Sequence, residues 1–186
     1  MNYLKIDHED VCNGDGLRVV LWLSGCSHHC HKCQNPQTWN PNSGILFDED
    51  AKQEIFDELS KDYISGITFS GGDPLNKWNI NDLNYLIFEI KEKFPTKTIW
   101  LYTGYAFEFL KERYRMFGYT SEFEFYEKDY ADFLRWKIIS KCDILVDGQY
   151  IDSERDITLK WRGSKNQRVI DVQKSLSENK IVLYCD

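Results

Sequence analysis

Gly25-Cys26-Ser27-His28-His29-Cys30-His31-Lys32-Cys33 places three cysteines at a C-x3-C-x2-C spacing. Thiolates are soft, anionic ligands that select zinc and iron-sulfur clusters. A loop this short can wrap three of them around three corners of a cubane cluster. A fourth cysteine would close such a cluster off, whereas three leave one iron open to a further ligand. A zinc knot completed by His28, His29 or His31 is the competing reading, because Cys and His are zinc's usual ligands. Zinc sites more often use C-x2-C pairs across a longer gap, and the sequence holds no second pair. The expected ligands are therefore Cys26, Cys30 and Cys33 around a [4Fe-4S] cluster, with the histidines as incidental loop residues. Cys12, Cys142 and Cys185 stand alone and read as small buried or incidental thiols.

Three more motifs carry chemistry: Ser70-Gly71-Gly72-Asp73-Pro74, Thr103-Gly104-Tyr105 and Asp147-Gly148-Gln149-Tyr150. Paired glycines let main-chain carbonyls approach a ligand ammonium closely, and the Asp73 carboxylate adds charge complementarity. Asp147 can accept from ribose hydroxyls. Each of these motifs also reads as an ordinary turn after a strand.

The elements that must position these residues are short β-branched or aromatic runs at 17–23, 67–69, 98–102, 144–146, 168–172 and 181–184. They read as strands buried on both faces. Between them, Ala51, Ile55 and Leu59 share one helical face beginning near Asp48. Ile80, Leu83, Ile87 and Ile90, widened by Leu86, share another beginning near Asn79. The aromatic and charged stretch 106–140 is expected to be a helical elaboration. Alternating strands and helices predict parallel βαβ units. A closed eight-stranded α/β barrel usually needs about 250 residues, so 186 residues predict an open, partial parallel α/β barrel in one domain, 1–186. All four motifs begin where a predicted strand stops. In parallel α/β architectures the carboxyl ends of the strands share the edge where ligands bind, so four distant loops should meet around one site.

Composition excludes other classes. With 23 basic against 30 acidic residues, the net charge is −7 and no basic run offers a footprint for nucleic acid or an anionic membrane. The charged start lacks the apolar segment of a signal peptide, and no apolar run approaches a membrane span. A cytoplasmic location is expected, where six cysteines are poor candidates for disulfides.

C-x3-C-x2-C after an early strand resembles the signature of the radical S-adenosylmethionine (SAM) superfamily. That resemblance implies a partial barrel of the radical SAM type and chelation of the open iron by the amino and carboxylate groups of SAM. Lys32 stands where the superfamily often has an aromatic residue, leaving backbone groups at Lys32 and Gln34 to approach the cofactor. Gly71-Gly72-Asp73-Pro74 resembles the element that receives the methionyl amino group. The resemblance thus implies SAM contacts at Lys32, Gln34, Ser70, Gly71, Gly72, Asp73, Thr103 and Asp147.

Trp161-Arg162-Gly163-Ser164-Lys165-Asn166-Gln167-Arg168, with Asn13 to Arg18, Asn35, Trp39 and the loops above, is similar to the activating enzymes of anaerobic ribonucleoside-triphosphate reductase. The stretch 113–136 is longer than in that family, and Asn13-Gly14-Asp15-Gly16 replaces the usual Asp-Gly-Pro-Gly. Arg162 and Arg168 read either as cofactor or partner contacts or as a solvated surface turn. The resemblance implies that a one-electron donor such as flavodoxin reduces the cluster and that SAM is cleaved to methionine and a 5′-deoxyadenosyl radical. That radical takes a hydrogen from a glycine of the large reductase subunit. The cofactors carry the chemistry, so no catalytic acid or base is expected. A small radical SAM synthase acting on a free metabolite, such as a modified-purine precursor, is the alternative enzyme, and a zinc-stabilised interaction module the alternative outside catalysis.

Overall fold

The computed structural model describes residues 1–117 and 127–185. Its framework is an eight-stranded sheet in the order β3-β1-β2-β4-β5-β6-β7-β8. The strands are β1 (Asn2–Asp10), β2 (Leu17–Leu23), β3 (Ile45–Leu46), β4 (Ile64–Gly71), β5 (Thr98–Tyr102), β6 (Ile144–Asp147), β7 (Arg168–Asp171) and β8 (Leu183–Cys185). The sheet does not close: β3 and β8 are its edges.

Only the centre is parallel. β2 pairs with β4, β4 with β5 and β5 with β6 in parallel, whereas β1, β3, β7 and β8 join antiparallel. This corrects the expectation of an all-parallel sheet. Parallel neighbours need a crossover of a dozen or more residues, and the 11–16 connection from β1 to β2 is too short for one. The 148–167 connection from β6 to β7 is longer but contains no α-helix.

The helices are α1 (Glu49–Leu59), α2 (Ile80–Lys93), α3 (Phe107–Phe117), α4 (Glu127–Ile139) and α5 (Val172–Ser177). Asp48 caps α1 by accepting from the Ala51 N–H at 3.0 Å, which satisfies a donor that the first turn otherwise leaves free. Ala51, Ile55 and Leu59 are buried, as are Leu83, Leu86, Ile87 and Ile90 of α2. They pack with Leu21, Ile67, Phe69, Ile99, Leu101 and Leu145 of the central strands in the larger core. The expected helical stretch 106–140 contains α3 and α4, with 118–126 outside the described residues. No helix among the described residues is long and apolar enough to cross a membrane.

A second, smaller core gathers Trp100, Ile144, Val146 and Val169, with Tyr102 and Trp161 against it. Beside Trp100 lies Arg18, fully buried. It donates to the hydroxyls of Thr68 and Thr98 and to the carbonyls of Asp15, Ile67 and Thr98 at 2.7–3.1 Å. Its guanidinium lies 5.3 Å from the Trp100 ring centroid. No carboxylate within ion-pair distance of it occurs among the described residues, and burial pushes its pKa down to about 10. Thr68 passes the network on by donating to the Asn13 carbonyl at 2.7 Å, fixing the 11–16 segment.

Candidate functional site

The loops after β2, β4, β5 and β6 line one cavity of about 430 Å³. Cys26, Cys30 and Cys33 all contribute to its wall. Their loop is held by main-chain bonds from Gly25 N–H to the Thr38 carbonyl at 2.7 Å and from Cys26 N–H to the Trp39 carbonyl at 3.1 Å. His29 and Lys32 adopt left-handed φ values of 47° and 53°, which wind the loop tightly where most residues avoid that region.

Asp73 joins three of these loops. Its carboxylate, 2% exposed, accepts from the Thr103 hydroxyl at 3.0 Å, the Gly104 N–H at 3.1 Å and the Leu75 N–H at 2.8 Å. His28 Nε2 meets it at 2.6 Å, while His28 Nδ1 lies 2.9 Å from Gln149 Nε2. The imidazole also sits edge-on to Tyr105, with centroids 4.7 Å apart. A Cβ on Gly104 would approach that ring to 2.5 Å, so glycine is what lets histidine fit. Far from being incidental, His28 connects the cysteine loop to the loops after β4, β5 and β6. Gly71 lies at φ 99°, where a side chain is strained, and a Cβ on Gly72 would meet the Gly25 carbonyl at 2.6 Å. These two glycines, both on the cavity wall, therefore let the exit of β4 lie directly against β2 and the start of the cysteine loop.

Of the eight predicted SAM contacts, Gln34, Ser70, Gly71, Gly72, Asp73 and Thr103 line the cavity, and Lys32 and Asp147 do not. The Lys32 ammonium pairs with Asp152 at 2.8 Å. Asp147, 1% exposed, accepts from Arg168 Nε at 3.0 Å and from the Phe107 N–H at 2.8 Å. It thereby ties β6 to β7 and to the start of α3. Arg168 is further committed to Glu108 at 2.7 and 2.8 Å, and it holds the Glu108 carboxyl below its ordinary pKa. Arg162, by contrast, lines the cavity. Asn13, Trp22, Trp39, Tyr102, Gln149 and Trp161 complete much of the wall.

Comparison with known proteins decides which family this cavity serves. The 4Fe-4S single cluster domain family matches residues 12–170. The anaerobic ribonucleoside-triphosphate reductase-activating protein of Enterobacteria phage T4 is 38% identical over 171 residues, covering 91% of this chain and 93% of that protein. The proteins of the same name from Haemophilus influenzae and Escherichia coli K12 are 36% and 34% identical. They cover 90% and 91% of this chain, and 96% and 97% of their own lengths. The chain belongs to the anaerobic ribonucleoside-triphosphate reductase-activating family.

The residues present fit the cluster this family carries. The three thiols of the cysteine loop share one cavity wall, to which Cys12 also contributes, and the buried Trp39 indole N–H, on the same wall, has no acceptor among the described residues. A buried donor left without a partner marks a place for an acceptor-rich group, and hydrogen bonds to cluster sulfur are such acceptors' usual complement. The zinc reading fares worse. His28 is held by Asp73 and Gln149, and His29 packs on Trp39 at 4.7 Å. Burial pushes the Cys26 thiol up to about 11 and raises Cys30 in the same way, against opposing backbone hydrogen bonds. These thiols therefore remain protonated until a metal cation displaces the proton.

Proposed function

We propose that this chain activates an anaerobic ribonucleoside-triphosphate reductase, its protein partner, by installing a glycyl radical on the large subunit. The observation that carries the reading is the convergence of Cys26, Cys30 and Cys33 with the loops after β4, β5 and β6 on one cavity. It occurs in a family whose relatives are named as activating proteins of that reductase. The three thiolates hold a [4Fe-4S] cluster and leave one iron for SAM. When bound, the cluster supplies a single electron and SAM the 5′-deoxyadenosyl group that removes a hydrogen from the partner's glycine.

The chain's own residues bind and orient. Main-chain carbonyls beside Gly71 and Gly72 take the methionyl ammonium, with Ser70, Thr103 and Gln34 on the same wall. Asp73 acts mainly by fixing the loops through Thr103, Gly104 and His28. Lys32 contributes through its backbone, because Asp152 holds its ammonium, and Asp147 contributes by anchoring Gly148 and Gln149. No side chain serves as acid or base.

The unclosed sheet supports a partial barrel of the radical SAM type, built as one domain over 1–186. Its open side suits a glycine presented by another polypeptide. A free metabolite would more often be covered over during reaction, and the relatives' names give the synthase alternative no support. A one-electron donor such as flavodoxin, a cytoplasmic setting and no nucleic-acid partner complete the reading. A net charge of −7 and six free cysteines support those last two points.

The test is anaerobic reconstitution with iron and sulfide, followed by dithionite and SAM. Formation of 5′-deoxyadenosine, and of a radical on the added reductase polypeptide, is expected. Alanine at Cys26, Cys30 or Cys33 should abolish both signals, whereas alanine at Cys12, Cys142 or Cys185 should leave them. Equal tolerance at all six positions removes the ligand assignment, and turnover of a free metabolite without the reductase removes the activase.

A further inference from the structure

We propose that Arg162 is the carboxylate-recognising residue of the cavity and pairs with the methionyl carboxylate of SAM. This deepens the function proposed above and rests on it. Among the described residues, Arg162 is the sole lysine or arginine on the cavity wall. No carboxylate lies within ion-pair distance of it among the described residues; its one hydrogen bond is from Nη1 to the Gln167 carbonyl at 3.0 Å. Its Nε is buried and has no acceptor. A half-buried cation with an unmet donor lacks an anion. The single acid on the wall among the described residues, Asp73, cannot serve, being engaged with His28, Thr103, Gly104 and Leu75.

The backbone around Arg162 is fixed before any ligand arrives. Trp161 takes a left-handed φ of 58°. Gln167 Oε1 accepts from the Gly163 N–H at 2.9 Å and the Ser164 N–H at 3.2 Å, while its Nε2 donates to the Gly148 carbonyl at 3.0 Å. That clasp locks the 162–167 turn onto the exit of β6. A guanidinium so held presents a planar fork matched to a carboxylate. SAM brings a carboxylate, an ammonium and a sulfonium. The amino group fits the carbonyls beside Gly71 and Gly72, and the carboxylate oxygen that does not chelate the open iron is left for the cation. Arg168, six residues on and chemically identical, is excluded by its bonds to Asp147 and Glu108.

The experiment compares equilibrium binding of SAM and of decarboxylated SAM to the cluster-loaded protein, without the reductase, in the wild type and in Arg162→Gln, Arg162→Lys and Lys160→Gln. A charge-assisted hydrogen bond corresponds to about a 10- to 100-fold change in affinity. Arg162→Gln should weaken SAM by that factor and change the decarboxylated analogue by less than about threefold, so the preference for the carboxylate shrinks to the part that chelation of the open iron supplies. Arg162→Lys keeps the charge but loses the fork and should fall between; it also supplies the test if the glutamine variant does not fold. Lys160→Gln removes a charge in the same loop, from a side chain off the cavity wall, and should leave the preference intact. An unchanged preference in Arg162→Gln overturns the assignment, including the case in which Arg162 instead meets a carboxylate of the partner. A wild-type protein that binds no SAM overturns the proposed function itself.

Discussion

Replacing Arg18 tests the reasoning that connects core to site. Its side chain is fully buried and donates to five acceptors. Two are hydroxyls that keep other partners, since Thr68 also bonds the Asn13 carbonyl and Thr98 the Ser65 carbonyl. The other three are main-chain carbonyls, and stranding one in a buried place costs about 1–3 kcal/mol. Against this, the fall in the Arg18 pKa from 12.5 to about 10 corresponds to roughly 3 kcal/mol disfavouring the charged form, which methionine would relieve. Three such carbonyls come to about 3–9 kcal/mol, so the balance for Arg18→Met is a destabilisation of up to about 6 kcal/mol. Arg18→Lys keeps the burial penalty but has at most three donors and no planar face for Trp100, so it should fare no better. Urea unfolding of the metal-free protein, followed by tryptophan fluorescence, measures both at constant m-value. Should Arg18→Lys lose less than about 1 kcal/mol, a bare charge would suffice, and the argument from five directed bonds would be wrong.

Arg168→Met leaves the Asp147 carboxylate buried with, among the described residues, only the Phe107 N–H as a hydrogen-bond donor. A loss of about 3–5 kcal/mol is expected, with Asp147→Asn restoring part of it in the double variant; equal urea midpoints for wild type and single variant would refute this. Alkylation of Cys26 in the metal-free protein should be slow at pH 8 and climb with pH toward about 11, because burial keeps the proton on sulfur until then. Peptide mass spectrometry of iodoacetamide-treated samples reads this directly, and a plateau by about pH 9, near the ordinary thiol value, contradicts it. Gly104→Ala drives a methyl group into the His28 ring, so the ring must leave Asp73 or Gln149. Cluster content should persist while SAM affinity drops by roughly tenfold, about one charge-assisted hydrogen bond; anaerobic calorimetry showing wild-type affinity would mean that His28 does not organise the site.

Legibility in the sequence followed burial. The runs at 17–23 and 98–102 coincide with β2 and β5 because strands covered on both faces read as continuous apolar segments. β1 escaped notice because Lys5, Asp7, His8, Glu9 and Asp10 stud it with charge, and β3 spans only Ile45–Leu46. Periodicity carries no strand direction, so the antiparallel pairing of β7 and β8 had no mark to read. At the site, spacing exposed the three cysteines and the paired glycines. His28 was invisible because its meaning depends on Asp73, 45 residues away. Asp147 looked like a ligand because nothing local reveals that Arg168, 21 residues on, occupies it. The same dependence separates Arg162 from Arg168, which composition cannot tell apart.

The histidine bridge from the cysteine loop to Asp73 and Gln149 has a thermodynamic corollary. Two ligands whose sites share one rigid connector influence each other by a single coupling free energy, and that energy is the same read from either end. Whatever advantage an assembled cluster confers on SAM, SAM must return to the cluster. Saturating cofactor should therefore slow the stripping of iron by a chelator, and this protection should fade when His28 is replaced by alanine.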